Sequence, residues 1–239
     1  MLDTPAQTSV LSLDCAQLTT RELNQRLKAL ATEGIPAVRI LNPEGRHNVA
    51  VGLTGPIQVT IEGSIGYYCG GLADGPTLEI LGSSGWSLGE NLMNGQILVR
   101  GNASACAAAS AHGGRVIVLG NAGPRAGISL KGATLVVLGN VSYSAAFMMQ
   151  AGRLIIAGDA GPNLGDSMYQ GEIFVGGELT SLGADACETE ITDSDWQTLE
   201  QELLPWGLDP HSRSFKKIVC AGELYHFKAK DWSKWKDAY

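Results

Sequence analysis

Several ingredients are scarce in this 239-residue chain, and each scarcity removes a class of function. Cysteine is the first. The five residues Cys15, Cys69, Cys106, Cys187 and Cys220 are odd in number, scattered and free of any C-x-x-C pair. That pattern excludes a disulfide framework, a zinc knuckle and an iron–sulfur site, and reads as reduced thiols in a cytoplasmic protein. Basic charge is also short, with 17 Lys and Arg against 24 Asp and Glu, a net charge of −7. Such a balance gives no footing for nucleic acid. No apolar run reaches membrane-spanning length. The opening MLDTPAQTSVLSLDCAQ has neither a basic start nor a sustained apolar core, so no signal peptide is expected. Histidine is limited to His47, His112, His211 and His226, which follow no ligand or triad spacing, and G-x-S-x-G does not occur. No catalytic, cofactor-binding or metal-binding residue is assigned in this chain.

Glycine, by contrast, is abundant and ordered. Gly63, Gly82, Gly101, Gly120, Gly139, Gly158 and Gly177 stand nineteen residues apart without exception. A fixed period near twenty means stacked structural repeats. Four residues before each anchor stand Val59, Leu78, Ile97, Val116, Leu135, Leu154 and Ile173. Two before stand Ile61, Ile80, Val99, Val118, Val137, Ile156 and Val175. Small residues fill the columns three and seven after the anchor, from Gly66 and Gly70 to Thr180 and Ala184. Aliphatics two apart mark a strand. Each unit is therefore a strand, a glycine corner and a small-residue segment.

Nineteen residues are too few for a strand with a crossover helix. They fit one turn of a parallel β-helix, stacked at the strand spacing of ~4.8 Å, so seven rungs make a rod roughly 34 Å long. A leucine-rich repeat lacks support because its leucine ladder is missing. A left-handed hexapeptide helix fails because nineteen is not a multiple of six. Glycine at the corners is expected to supply φ > 0 or close backbone approach. Asn102, Asn121, Asn140 and Asp159 follow successive anchors and predict a hydrogen-bonded ladder along the rod. The dinucleotide reading of Gly120–Gly127 and Gly158–Gly165 fails on spacing and on the lack of a following helix.

The flanks differ from the repeats. Thr19 and Glu22 read as a capping box, followed by a helix with Leu23, Leu27 and Leu30 on one face and ended by Gly34 and Pro36. Ala37–Leu41 and His47–Val51 read as strands. A second helix is expected over Asp195–Leu204, ended by Pro205 and Gly207, with a strand over Lys217–Cys220 and an aromatic cluster at Leu224–Phe227. The division is 1–54 as an N-terminal α/β cap, 55–186 as an all-β, right-handed parallel β-helix of about seven 19-residue rungs, and 187–239 as a helical and irregular tail.

One column breaks the outward-polar rule of a half-exposed strand. Three residues before the anchor, Thr60 and Glu79 give way to Leu98, Ile117, Val136, Ile155 and Phe174, widened by Leu119 and Leu138. A strand apolar on both faces is covered on both faces. The expected cover is a partner subunit over rungs three to seven. The alternative is this chain's own helix bearing Leu23, Leu27 and Leu30, or its aromatic tail.

The repeated G-x-x-G-x-x-x-G of Gly63–Gly70, Gly82–Gly89, Gly120–Gly127 and Gly158–Gly165 resembles the GXGXG domain, the C-terminal β-helix of the glutamate synthase large subunit. Flanking segments are similar to the free-standing β-helix subunit of glutamate-synthase-like complexes, notably N-methylglutamate synthase. They include Arg21–Asn24, Val59–Gly63, Gly66–Cys69, Gly127–Gly132, Ser144–Phe147, Gly165–Tyr169, Ser181–Asp185, Leu224–Phe227 and Asp237–Tyr239. The resemblance implies a non-catalytic scaffold in a hetero-oligomer, with several copies allowed. One partner would be a glutaminase-type amidotransferase subunit with an N-terminal cysteine nucleophile. The other would be a synthase subunit carrying FMN and an iron–sulfur cluster. The β-helix subunit of formylmethanofuran dehydrogenase is the alternative within the superfamily. A stand-alone carbohydrate-acting β-helix enzyme is the alternative of another class, and it lacks the row of charged residues it would need.

Overall fold

The computed structural model of the protein describes residues 10–222, so the expected Leu224–Phe227 cluster lies outside the described residues. Seven repeat strands form the body of one sheet: β3 (Gln58–Ile61), β4 (Asp74–Ile80), β5 (Asn94–Val99), β6 (Arg115–Val118), β7 (Lys131–Val137), β8 (Ala151–Ile156) and β9 (Glu172–Val175). All neighbours in this run pair in parallel, and Val59, Leu78, Ile97, Val116, Leu135, Leu154 and Ile173 stack partner on partner. A second line of parallel bridges joins Ile65, Ser84, Ala103, Ala122, Val141, Ala160 and Leu179. The all-β, parallel β-helix architecture is thus as the period requires. Its interior is a single apolar column in which the −4 and −2 aliphatics are almost fully buried.

The sheet continues beyond the repeats. At the N-terminal end β1 (Leu11–Asp14) and β2 (Ala37–Leu41) pair in parallel, and β2 stacks on β3. Between them runs α1 (Thr20–Thr32), which starts on the predicted Thr19–Glu22 capping box. Its Leu23, Leu27 and Leu30 join the interior column and seal the open end of the rod. An unsealed rung would leave that column in water. The expected strand over His47–Val51 does not form. Asn48, Ala50 and Gly52 instead take positive φ (58, 60 and 57°), the same alternation that recurs in the first six repeats.

That alternation is a feature the sequence does not announce. Residues five, seven and nine after each of the first six anchors all lie in the left-handed region, as in Tyr68, Gly70 and Leu72 or Cys106, Ala108 and Ser110. Successive left-handed residues aim their amides alternately up and down the rod: Ser87 donates to Ala105 in the next rung, and Gly89 to Cys69 in the previous one. Glycine adopts this conformation without steric cost, which explains Gly70, Gly89, Gly127 and Gly165 in the +7 column.

After the last repeat the chain forms β10 (Ala186–Thr189), α2 (Asp193–Leu203), short 3₁₀ turns at Leu204–Trp206 and Pro210–Ser212, and β11 (Lys216–Cys220). β11 returns antiparallel to β9 and pairs with β10 on its other side, so the sheet order is β1 to β9, then β11, then β10. Among the described residues no helix is long and apolar enough to cross a membrane.

Candidate functional site

The anchor glycines and the Asn column prove to be one device. Asn102, Asn121, Asn140 and Asp159 each accept, through their side-chain Oδ1, the backbone N–H one rung further on, at 2.8 Å. Ser64 and Ser83 continue the ladder in the other direction, both at 3.1 Å. The anchor one rung further lies directly over each ladder oxygen. An alanine Cβ at Gly139 would come 2.7 Å from Gly120 O and closer still to Asn121 Oδ1. Of the seven anchors only Gly63 has φ in the left-handed region, at 142°. From Gly82 onward the anchors therefore serve close approach, not a left-handed corner.

The apolar stripe proposed for a partner is covered by the chain itself. Leu98, Ile117, Val136, Ile155 and Phe174 are 7, 1, 0, 0 and 0% exposed. Over them lie Leu199 and Leu203 of α2 and Phe215 before β11, with Ile191, Trp196, Trp206 and Leu208 packed alongside. The partner reading of this column is overturned. So is cover by α1, whose leucines face the rod interior. The reason is geometric: α2 follows the stripe from β9, where Asp195 meets Lys217 beside Glu172, to β6, where Glu202 meets Arg115, with its buried Leu199 and Leu203 against the apolar column.

An ion cluster fixes this cover, and sequence reasoning missed it. Lys217 Nζ lies 2.8 Å from Asp195 Oδ1 and 2.7 Å from Glu172 Oε1, with side-chain exposures of 11, 7 and 30%. Arg153 completes the cluster on Glu172 at 2.9 Å, and Arg115 pairs with Glu202 of α2. Burial opposes ionisation of Asp195 and Glu172. Hydrogen bonds from Lys217, with those from Thr192 to Asp195 and from Arg153 to Glu172, outweigh it and hold both carboxyls below their ordinary values. Burial likewise disfavours the Lys217 ammonium, but its two carboxylates raise its pKa above the ordinary lysine value. The sequence placed the start of this helix at Asp195, two residues late, and so did not show that Thr192 and Asp195 form the capping box that opens α2 while Asp195 also faces Lys217.

Chemistry is sparse elsewhere. His47 Nδ1 accepts the Tyr67 amide and its ring stacks on Tyr67 at 4.4 Å. His211 stacks on Trp196 and meets Glu200 at 2.8 Å, while His112 is exposed. Burial pushes the Cys69 thiol up to about 12, which makes it inert as a nucleophile. Among the described residues no group of three or more His, Cys, Asp or Glu side chains could hold a metal ion.

The family model of the GXGXG motif matches residues 44–205. The chain belongs to the GXGXG family. Protein GlxC of Rhizobium meliloti (strain 1021) is 46% identical over 217 residues, covering 90% of this chain and 95% of that protein. The GXGXG match takes in the α2 cover as well as the rungs, since α2 ends at Leu203. The resemblance read from the glycine columns is therefore borne out at the level of the family.

Proposed function

We propose that this chain is a non-catalytic structural subunit of a multi-subunit, glutamate-synthase-like enzyme in the cytoplasm. The reaction we favour is that of N-methylglutamate synthase, which joins methylamine to glutamate and releases ammonia. In this reading the rod holds a glutaminase-type subunit against a subunit carrying FMN and an iron–sulfur cluster. The observation that carries it is the extent of the GXGXG coil. Rungs, end seal and α2 cover together account for most of the chain, and the match to Protein GlxC takes in 95% of that protein. The side chains favour a scaffold too, because the buried charged groups among the described residues, Asp195, Glu202 and Lys217, brace α2.

The test is recovery of the complex. The tagged chain, purified from its own cells at native expression, should bring down a glutaminase-type subunit and a yellow FMN subunit. The complex should form N-methylglutamate from methylamine and glutamate, and the chain alone should neither retain FMN nor turn over. Stoichiometric flavin on the isolated chain, or activity without partners, would refute the scaffold role. Recovery with molybdenum- or tungsten-enzyme subunits would refute the glutamate-synthase assignment.

A further inference from the structure

We infer that the side of the rod carrying the positions one to four residues after each anchor is a self-association face, on which a second copy of this chain packs antiparallel. In rungs one to five these positions (64–67, 83–86, 102–105, 121–124 and 140–143) hold no Asp, Glu, Lys or Arg, although 17% of the chain is charged. Depletion of charge together with Tyr and Trp is the composition of an interface core. Tyr67, Trp86 and Tyr143 are 48, 55 and 48% exposed here, among the most exposed large hydrophobic side chains described. The aromatic ladder is already ordered, because Tyr67 stacks on Trp86 at 5.5 Å and on His47 at 4.4 Å. Ordered side chains lose little freedom on association. The parallel bridges from Ile65 to Leu179 keep this side straight.

The occupant follows from reading the columns backwards. A twofold axis lying in the face and crossing the rod at rung four sets each rung n against rung 8 − n of the other copy, column on column. In the +4 column Trp86 then meets Pro162, Tyr143 meets Ala105, Tyr67 meets Ser181, and Pro124 meets itself. Each aromatic ring faces a small residue or proline, and no two rings collide. In the ladder column Asp159 meets Ser83 and Glu178 meets Ser64, so each carboxylate faces a hydroxyl. A parallel pair would gather Asp159 and Glu178 of both copies at one end, which like-charge repulsion disfavours. The same self-pairing is the requirement of an isologous interface. Seven rungs by four residues give a footprint of roughly 34 Å by 14 Å. Both copies together then bury about 1,000 Å², the low end for specific association, so a micromolar dimer is expected.

Sedimentation velocity of the full chain tests this. At ~100 µM the wild type should run as a species of twice 25.1 kDa. Pro124→Glu places two carboxylates at the axis and should raise Kd at least tenfold, as should Tyr143→Glu. Both positions carry varied residues along their column, and unchanged melting of either variant shows that the fold is intact. An equimolar mixture of Pro124→Glu and Pro124→Lys chains should regain the wild-type dimer. A monomeric wild type at this concentration overturns the proposal, as does a dimer indifferent to both single variants. Loss of the dimer without recovery in the mixture overturns the antiparallel axis at rung four.

Discussion

An alanine at Gly139 would test whether close approach sets the glycine period. Its Cβ would sit 2.7 Å from Gly120 O and 2.9 Å from Gly120 C, against an ordinary contact of 3.4 Å or more. The obstacle is backbone, so the two rungs must separate by about 0.7 Å (3.4 − 2.7). Two hydrogen bonds span that gap: Gly139 N–H to Gly120 O at 3.0 Å and Asn140 N–H to Asn121 Oδ1 at 2.8 Å. Stretching both beyond range loses ~0.5–1.5 kcal/mol each, and forced overpacking adds ~1–3 kcal/mol. A total of roughly 2–6 kcal/mol corresponds to a melting temperature lower by about 4–24 °C in a chain of this size. Gly127→Ala is the comparison. It has φ +71°, but its nearest side chain is Leu135 at 3.7 Å, and Ala108 and Ala146 hold the same conformation in other rungs. Left-handed strain there, partly offset by a less free unfolded chain, costs about 1 kcal/mol. Thermal melting followed by circular dichroism ranks the two. If Gly127→Ala proves the more damaging, backbone conformation and not approach dictates the anchor.

Other consequences follow from the same geometry. Asn121→Ala removes a ladder acceptor and should cost about 1 kcal/mol in guanidinium unfolding, whereas Asn121→Asp keeps the acceptor, as Asp159 does, and should be near neutral at pH 7. Lys217→Met leaves Asp195 and Glu172 without their shared cation and should lose about 3 kcal/mol, with dye binding as α2 lifts from the stripe. Because Asp195 and Glu172 have lowered pKa values, the stability they contribute is complete above their unfolded values of 3.8 and 4.5 and is lost as pH falls through their folded values. Lys217, raised above 10.5, contributes fully below that pH and loses its share as pH rises through its folded value. A melting-temperature profile should therefore be flat between about pH 5 and 10 and fall at both ends, and Lys217→Met should lessen both falls. The double variant Ile117→Lys and Ile155→Lys buries two unpaired ammonium groups beneath α2, so the isolated chain should melt at least 10 °C lower or fail to fold, and an intact fold would restore the case for an external partner on that stripe.

The sequence by itself determined the coil. Nineteen-residue spacing, aliphatics at −4 and −2, and small residues at +3 and +7 are local statements made seven times, so their sum specifies the coil, its register and its rise. Thr19 with Glu22 marked the start of α1 just as firmly, because a capping box is complete within four residues. What the sequence left open is what depends on contacts distant along the chain. The cover of Leu98 to Phe174 depends on Lys217 meeting Asp195 and Glu172, which lie 22 and 45 residues away along the chain. No spacing rule links them. The left-handed alternation escaped for a related reason: Tyr68, Cys106 and Arg125 are not residues that seek positive φ, and they accept it only because each amide finds a carbonyl in the rung above or below. The role of the anchor glycines also needed three dimensions, since the atom that excludes a side chain belongs to the neighbouring rung. Periodic local preference fixes a rod, and unique long-range contacts decide which of its faces stay open to other molecules.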